Sequence, residues 1–131
     1  MKFAKVIFLV AGIYGLLALL PLYFMETRTG RDYPPSITHP EYYYGFIGVA
    51  VAWQLAFLVI SRDPVRYRLL MPPAVVEKAS FGIAVALLYA QERVSAFMFG
   101  AAMSDSLLGV LFLVAFVLTA KRAKGMDRGE A

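Results

Sequence analysis

The residues best suited to chemistry are ionisable side chains that interrupt long apolar stretches of the chain. Asp105 lies inside one such stretch, and Glu77 and Lys78 lie side by side near the start of another. A charged group near the centre of a bilayer costs roughly 2.5–3.5 kcal/mol unless it is paired or hydrated. Each of the three is therefore a candidate for contacting a ligand, proton or substrate, or for pairing inside the protein.

Two further side chains extend this polar set. Gln54 follows Trp53 in the inner half of an apolar stretch, and we expect Gln54, Glu77 and Lys78 to form one hydrogen-bonded cluster at similar depth. Asp105 is expected to lie apart from them, because a helical rise of 1.5 Å per residue separates the groups by more than about 10 Å in depth. This spacing predicts an inner polar cluster and a separate outer carboxylate.

His39 is the single histidine of the chain, which contains no cysteine. Disulfides, thiolate metal sites and iron–sulfur clusters are thereby excluded, and a metal or bis-histidine haem site built by one chain is disfavoured. His39 is retained as an acid–base candidate, but no spacing in the sequence demonstrably brings it together with Asp105 or Glu77. We assign no catalytic residue, no metal site and no cofactor.

Four apolar runs must position these residues. They cover residues 3–24, 42–60, 73–90 and 97–120 of the 131, and the chain is 60% hydrophobic with a mean hydropathy of +0.66. About 20 apolar residues in helical form cross a hydrocarbon core, and the runs lack the alternation of a membrane β-barrel. The sequence predicts an all-α membrane protein, with one four-transmembrane-helix bundle over residues 1–131.

The first run has an alternative interpretation as a secretory signal peptide, since Lys2 and Lys5 precede an apolar stretch. The stretch is longer than the usual apolar region of about 7–15 residues, and residues 23–26 contain no small-x-small cleavage site. A retained helix is therefore favoured.

The basic residues predict the orientation, because lysine and arginine collect on the cytoplasmic side. Both termini and the second loop are expected there, in the inner (cytoplasmic) membrane of a bacterium. The short tail 121–131 has mixed charge and does not indicate nucleic-acid binding. Ten of the thirteen basic residues fit this pattern: Lys2, Lys5, Arg62, Arg66, Arg68, Lys78, Lys121, Arg122, Lys124 and Arg128.

The loops carry local signals. Thr38 and Glu41 have the spacing of a capping box for the second helix. The outer loop, residues 26–41, contains Pro34-Pro35, and its tyrosines and those that follow indicate either an ordered aromatic belt or the rim of a ligand entrance. Residues 65–71 predict a short amphipathic turn whose arginines face lipid headgroups while Leu69 and Leu70 dip into the membrane.

Small residues spaced four apart predict where helices approach closely, because lipid supplies no hydrophobic drive between helices. Three of the four runs show such stripes, and we expect them to form the internal contacts of the bundle. The stripes are Gly48, Ala52 and Ala56; Gly82, Ala86 and Ala90; and Ala101 and Gly109 on either side of Asp105.

The segments HPEYYYGFIGVAVAWQ, DPVRYRLLMPPAVVEKASFG and DSLLGVLFLVAF resemble those of small uncharacterised bacterial four-helix membrane proteins, across nearly all of residues 3–119. The four-span layout and the arginine-rich DPVRYR turn are more distantly similar to the DoxX-like group. Some members of that group are described as membrane subunits of oxidoreductases, and the similarity is one of architecture. It carries no catalytic motif to any residue of this chain.

Three classes of function follow. The first is a non-catalytic membrane component or accessory subunit that contacts the bilayer and protein partners or a second copy; it predicts internally satisfied carboxylates and no sizeable cavity. The second is a binder of a small apolar ligand, such as a lipid or quinone, near Asp105. The third is an enzyme acting on a lipidic substrate through Asp105, Glu77 or His39. The first class is favoured.

Overall fold

The computed structural model describes residues 1–127 and 129. Helix α1 covers Lys2–Leu19 and continues as a 3-10 turn, Leu20–Phe24. A short helix α2 covers Glu26–Asp32, and α3 covers Pro40–Arg62. A 3-10 turn, Arg68–Leu70, leads into α4 at Met71–Ala90, and α5 covers Ala96–Asp127.

Four stretches are long and apolar enough to cross a membrane: Lys2–Phe24, Pro40–Arg62, Arg68–Ala90 and Ala96–Gly125. The predicted all-α fold is confirmed in the described residues, and its four long apolar helices are those expected of a multi-pass membrane protein. The first two predicted runs match these stretches closely, whereas the third stretch begins at Arg68 instead of residue 73. The fourth extends past residue 120, so Lys121, Arg122 and Lys124 lie on α5 instead of in a separate tail. Arg128 lies outside the described residues, and the cytoplasmic position of both termini stays a prediction.

Proline marks two of the helix starts, because its fixed φ and missing N–H suit the first helical turn. Pro40 begins α3, and Pro72 and Pro73 lie in the first turn of α4. The predicted capping box is wrong, since the residue before α3 is His39 and no side chain caps the helix. Thr38 lies one residue before the N-cap position, which His39 occupies. The Glu41 carboxylate instead lies 3.1 Å from Nδ1 of the His39 ring.

The helices pack as two antiparallel hairpins, α1 with α3 and α4 with α5. Contacts between α1 and α5 join the hairpins, whereas α3 and α4 touch little. Three buried rings fill the centre: Phe8 stacks on Phe112 with centroids 4.1 Å apart, and Phe57 meets both edge-on. Because α3 and α4 stay apart, one side of the bundle is left with a groove.

On α4 and α5 the predicted small-residue stripes are only partly correct. Gly82 and Gly109 are buried, but Ala90 at the end of the α4 stripe is exposed. On α3, Ala52 is exposed and Gly48 and Ala56 are only half-buried, so the predicted stripe there is wrong. The buried face of α3 carries large residues, and α1 supplies the small ones against it. The α1 stripe, which the sequence reasoning missed, consists of Ala4, Ala11, Gly12 and Gly15.

Hydrogen bonds hold the connection between α1 and α3 against the helix ends. Tyr43 donates to the Leu22 carbonyl over 2.7 Å and lies 3.4 Å from the Thr29 hydroxyl. Tyr44 donates to Glu26 over 3.0 Å. The connection is thus ordered by side chains of α2 and α3, while its position outside the membrane stays a prediction.

Arg68 departs from the predicted amphipathic turn. Its guanidinium carbon lies 4.1 Å from the centroid of the Phe116 ring, and Nη2 donates to the Phe116 carbonyl over 3.1 Å. The prediction that it faces headgroups is therefore wrong, because the aromatic ring and carbonyl of α5 offer a cation–π contact and an acceptor within reach. Arg66 remains exposed, as predicted.

Candidate functional site

Lys78 lies at the centre of the site, with only 2% of its surface exposed. Its ammonium donates to Asp105 Oδ1 over 3.1 Å and lies 3.8 Å from Glu77 Oε2. The Phe57 ring faces the same ammonium at 5.2 Å from its centroid. We name Glu77, Lys78 and Asp105 the lysine–carboxylate cluster.

The antiparallel pairing of α4 and α5 brings this cluster together. Gly109 faces Lys78 so closely that a Cβ there would lie 3.1 Å from Lys78 Cβ. Asp105 lies four residues before Gly109 and hence on the same face of α5. The glycine therefore lets the lysine stem run along α5 as far as the carboxylate one turn away.

The predicted separation of Asp105 from Lys78 is wrong. The membrane stretch of the third span begins at Arg68, earlier than the sequence suggested. Lys78 is then about 15 Å along the helix axis, near the middle of a hydrocarbon core of about 30 Å. Asp105 is at a similar distance from Ala96, and the long lysine side chain closes the remaining gap.

Gln54 does not join the cluster, contrary to prediction. Its amide nitrogen donates to the Ala50 carbonyl over 2.9 Å, and a Cβ added to Gly15 would collide with its amide oxygen. That oxygen is buried and has no hydrogen-bond partner. Gln54 therefore belongs to the interface of α1 and α3, because it lies on the buried face that α1 covers.

A groove of about 750 Å³ runs between α3 and α4. Val49 and Val76 in its walls are 64% and 65% exposed, so the groove opens to the surroundings of the bundle, which are lipid for spanning helices. Glu77 is its one ionisable wall residue among those described. The groove is lined by Phe46, Val49, Ala50, Trp53, Pro73, Val76, Glu77, Ser80 and Phe81.

Sequence reasoning missed the groove, although each wall has a helical signature. Phe46, Val49, Ala50 and Trp53 have the spacing of one helix face, and Pro73 and Glu77 lie four residues apart on another. The sequence does not show how α3 and α4 are rotated relative to each other, so it does not show that these two faces enclose a groove. Trp53, which was predicted as a neighbour of Gln54, thus faces the groove while Gln54 faces α1.

The Glu77 carboxylate is the unsatisfied member of the cluster. Its Oε2 is buried and has no hydrogen-bond partner, and 3.8 Å to the Lys78 ammonium is too long for a hydrogen bond. One fifth of the side chain remains exposed, on the wall of the groove. Oε2 is therefore closed off from the groove, and only the exposed part of the Glu77 side chain can meet a molecule lying there.

A second, smaller cavity of about 350 Å³ lies between α4 and α5. Its lining includes Gly82, Ser106 and Gly109 and no charged side chain. It offers a ligand little beyond apolar contact.

His39 is exposed at the start of α3, where it contacts Glu41 and stacks on Tyr42 with centroids 5.1 Å apart. The structure does not bring it to the lysine–carboxylate cluster. Within the described part of the chain, no group of three or more histidine, cysteine, aspartate or glutamate side chains could hold a metal ion.

The DoxX-like resemblance stays a prediction. Comparison of the chain with protein-family models, with curated proteins and with solved structures gave no match, so only the geometry described above bears on its function.

Proposed function

We propose that this protein binds a small apolar molecule in the α3–α4 groove, with the Glu77 carboxylate as its polar anchor. One observation carries the proposal: the Glu77 carboxylate, which lies 3.8 Å from the Lys78 ammonium and is not hydrogen-bonded to it, is partly exposed in the wall of an otherwise apolar groove. A carboxylate in apolar surroundings gains from a hydrogen-bond donor, which a ligand in the groove can supply.

The size and lining of the groove support this ligand class. Its volume lies within the range of about 300–1,000 Å³ that is usual for small-molecule sites, which are mostly apolar with few polar groups. Phe46, Trp53 and Phe81 offer aromatic faces to a flat or aliphatic ligand. A hydroxyl-bearing lipid or a quinol combines the apolar body with the donor that Glu77 lacks.

The ligand-binding class is preferred to the non-catalytic component that the sequence favoured. A non-catalytic component predicts that the carboxylates are satisfied inside the protein and that the bundle has no sizeable cavity. Asp105 meets the expectation through Lys78, but Glu77 and the groove do not. The anchor is also Glu77 and not Asp105, because Asp105 is already engaged by the ammonium.

A ligand is preferred to a second copy of the chain as the occupant of the groove. A two-fold contact uses the same surface on both copies. It therefore brings two Glu77 side chains to one apolar interface, where they repel each other when ionised and no other groove residue supplies a cation between them. A lipid-borne hydroxyl meets the need without that repulsion.

The test uses Trp53, the single tryptophan of the chain, which lines the groove. The probe is an alkylated bromobenzyl alcohol, here called the alcohol probe, because bromine quenches tryptophan fluorescence on contact. Full-length protein in uncharged maltoside micelles is titrated with it. We expect saturable quenching, with binding weakened about tenfold or more in Glu77→Leu, in keeping with the loss of a hydrogen bond to a charged group.

Glu92→Leu is the matched control, because Glu92 is exposed outside the membrane stretches. It should bind the alcohol probe as the wild type does. Quenching that rises without saturation, or that is equal in the wild type and Glu77→Leu, would contradict the proposal.

A further inference from the structure

We infer that the ligand of the α3–α4 groove carries a positively charged nitrogen, and that its binding displaces a proton from Glu77. This inference rests on the proposed function and adds the charge of the ligand. It follows from the position of Glu77 between the apolar groove and a lysine that Asp105 already engages.

The cluster contains two carboxylates and one ammonium, so its net charge is −1 when all three groups are ionised. The Lys78 ammonium is hydrogen-bonded to Asp105 at 3.1 Å and only approaches Glu77, at 3.8 Å. Lys78 therefore neutralises Asp105 first. The excess negative charge falls on Glu77, the member that faces the groove.

No other described group compensates this charge. On the facing wall, α3 contributes Phe46, Val49, Ala50 and Trp53, none of which is ionisable. From α5 the facing group is Asp105, a second negative charge, and α1 contributes no residue to the groove. A cation for Glu77 must then come from the occupant of the groove.

Two states of the site are neutral, and burying a net charge at mid-membrane depth is unfavourable. In one state Glu77 carries a proton and the groove holds no cation. In the other Glu77 is ionised and a monovalent organic cation lies beside it. Passing from the first to the second transfers one proton from the carboxyl group to water, so charge and atoms balance.

The aromatic walls suit such a cation. Phe46, Trp53 and Phe81 line the same groove as Glu77, and a quaternary or protonated amine is attracted to the face of an aromatic ring. An amphiphilic cation from the surrounding membrane therefore meets a negative group, aromatic faces and an apolar channel together.

The experiment compares two probes that differ in charge. The ammonium probe is an alkylated bromobenzyltrimethylammonium, which has no N–H to donate, and the alcohol probe is its neutral counterpart. Both are titrated by Trp53 quenching into the wild type, Glu77→Gln and the control Glu92→Gln, in uncharged maltoside micelles at about pH 8 and about pH 5.

We expect Glu77→Gln to weaken the ammonium probe by about tenfold or more and the alcohol probe by less than about threefold, because the amide oxygen still accepts a hydrogen bond. Acidification should weaken the ammonium probe alone in the wild type. In weakly buffered solution, ammonium binding should release about one proton per site, as expected for linked ionisation.

Equal changes for both probes in Glu77→Gln would overturn the inference and leave the proposed function standing. Failure of the ammonium probe alone to saturate the wild type would likewise overturn only the inference, whereas failure of both probes would remove the inference and the proposed function. If Glu77→Gln does not fold, the wild type decides alone, since ammonium binding without pH dependence or proton release contradicts the exchange. Competition by added phosphatidylethanolamine at equal strength would show a lipid headgroup, and not a free cation, as the ligand.

Discussion

The Lys78 ammonium lies 3.1 Å from Asp105 Oδ1 and ties α4 to α5 within the membrane stretches. This bond divides the lysine–carboxylate cluster into a satisfied pair, Lys78 and Asp105, and one remaining carboxylate. Asp105 becomes an interhelical contact, and Glu77 is left facing the groove. The role of each carboxylate thus follows from which of them the lysine reaches.

Replacing Lys78 with methionine should lower the free energy of unfolding by about 2 kcal/mol. This value lies between the roughly 0.6–1.7 kcal/mol of interhelical hydrogen bonds in membranes and the roughly 3–5 kcal/mol for breaking a buried ion pair. Unfolding by dodecyl sulfate in mixed micelles measures it. Lys5→Met, at an exposed position of α1, is the control.

The double variant Lys78→Met/Asp105→Asn separates pairing from general damage. If the two groups interact, the double variant should be destabilised by less than the sum of the single changes. Strict additivity would show that the ammonium and the Asp105 carboxylate do not stabilise each other.

Gly15→Ala should weaken the packing of α1 on α3, because the added methyl group collides with the Gln54 amide. Overpacking of this kind costs about 1–3 kcal/mol. Gly100→Ala is the control, since nothing lies within 4 Å of a Cβ there. Adding Gln54→Ala to Gly15→Ala should recover much of the loss in the same unfolding assay, and no recovery would contradict this contact.

Tyr43→Phe should loosen the connection between α1 and α3. The change removes the hydrogen bond to the Leu22 carbonyl, which we expect to contribute about 0.5–1.5 kcal/mol. Tyr42→Phe provides a matched comparison, because Tyr42 is 71% exposed. Hydrogen exchange of α2 should quicken in the first variant only; equal exchange in both would refute the role of Tyr43.

The predicted orientation can be tested directly, because the chain has no cysteine of its own. Thr38→Cys should react with a membrane-impermeant maleimide added outside intact cells, and Arg66→Cys only after lysis. This outcome follows from the basic residues of the second loop and the termini. The reverse pattern would place both termini outside.

The spans were predictable from sequence because apolar runs of sufficient length have few alternatives in a chain this hydrophobic. The short helix α2 was not, since ETRTGRD has no apolar periodicity and contacts with Tyr43 and Tyr44 hold it in place. Sequence also gave the identity of the ionisable residues. The pairing of Lys78 with Asp105 was missed for two reasons. The third span begins earlier than predicted, so Lys78 lies deeper in the membrane, and its long side chain closes the remaining distance to Asp105.

The partners of Gln54 and Trp53 show a second limit. The two are neighbours in sequence and so point to different faces of α3, one toward α1 and the other toward the groove. Which face meets which helix depends on the rotation of α3 in the bundle. Hydropathy carries little information on that rotation, because lipid-facing and protein-facing residues are both apolar.

The division of the bundle into two hairpins has a consequence for how the chain enters the membrane. Lys78 and Asp105 lie on the two helices of the same hairpin, α4 and α5. When that hairpin leaves the ribosome and partitions into lipid as a unit, its opposite charges can neutralise each other before the first hairpin docks. Neutralising the lysine inside the second half of the chain would then require no acidic residue of the first half.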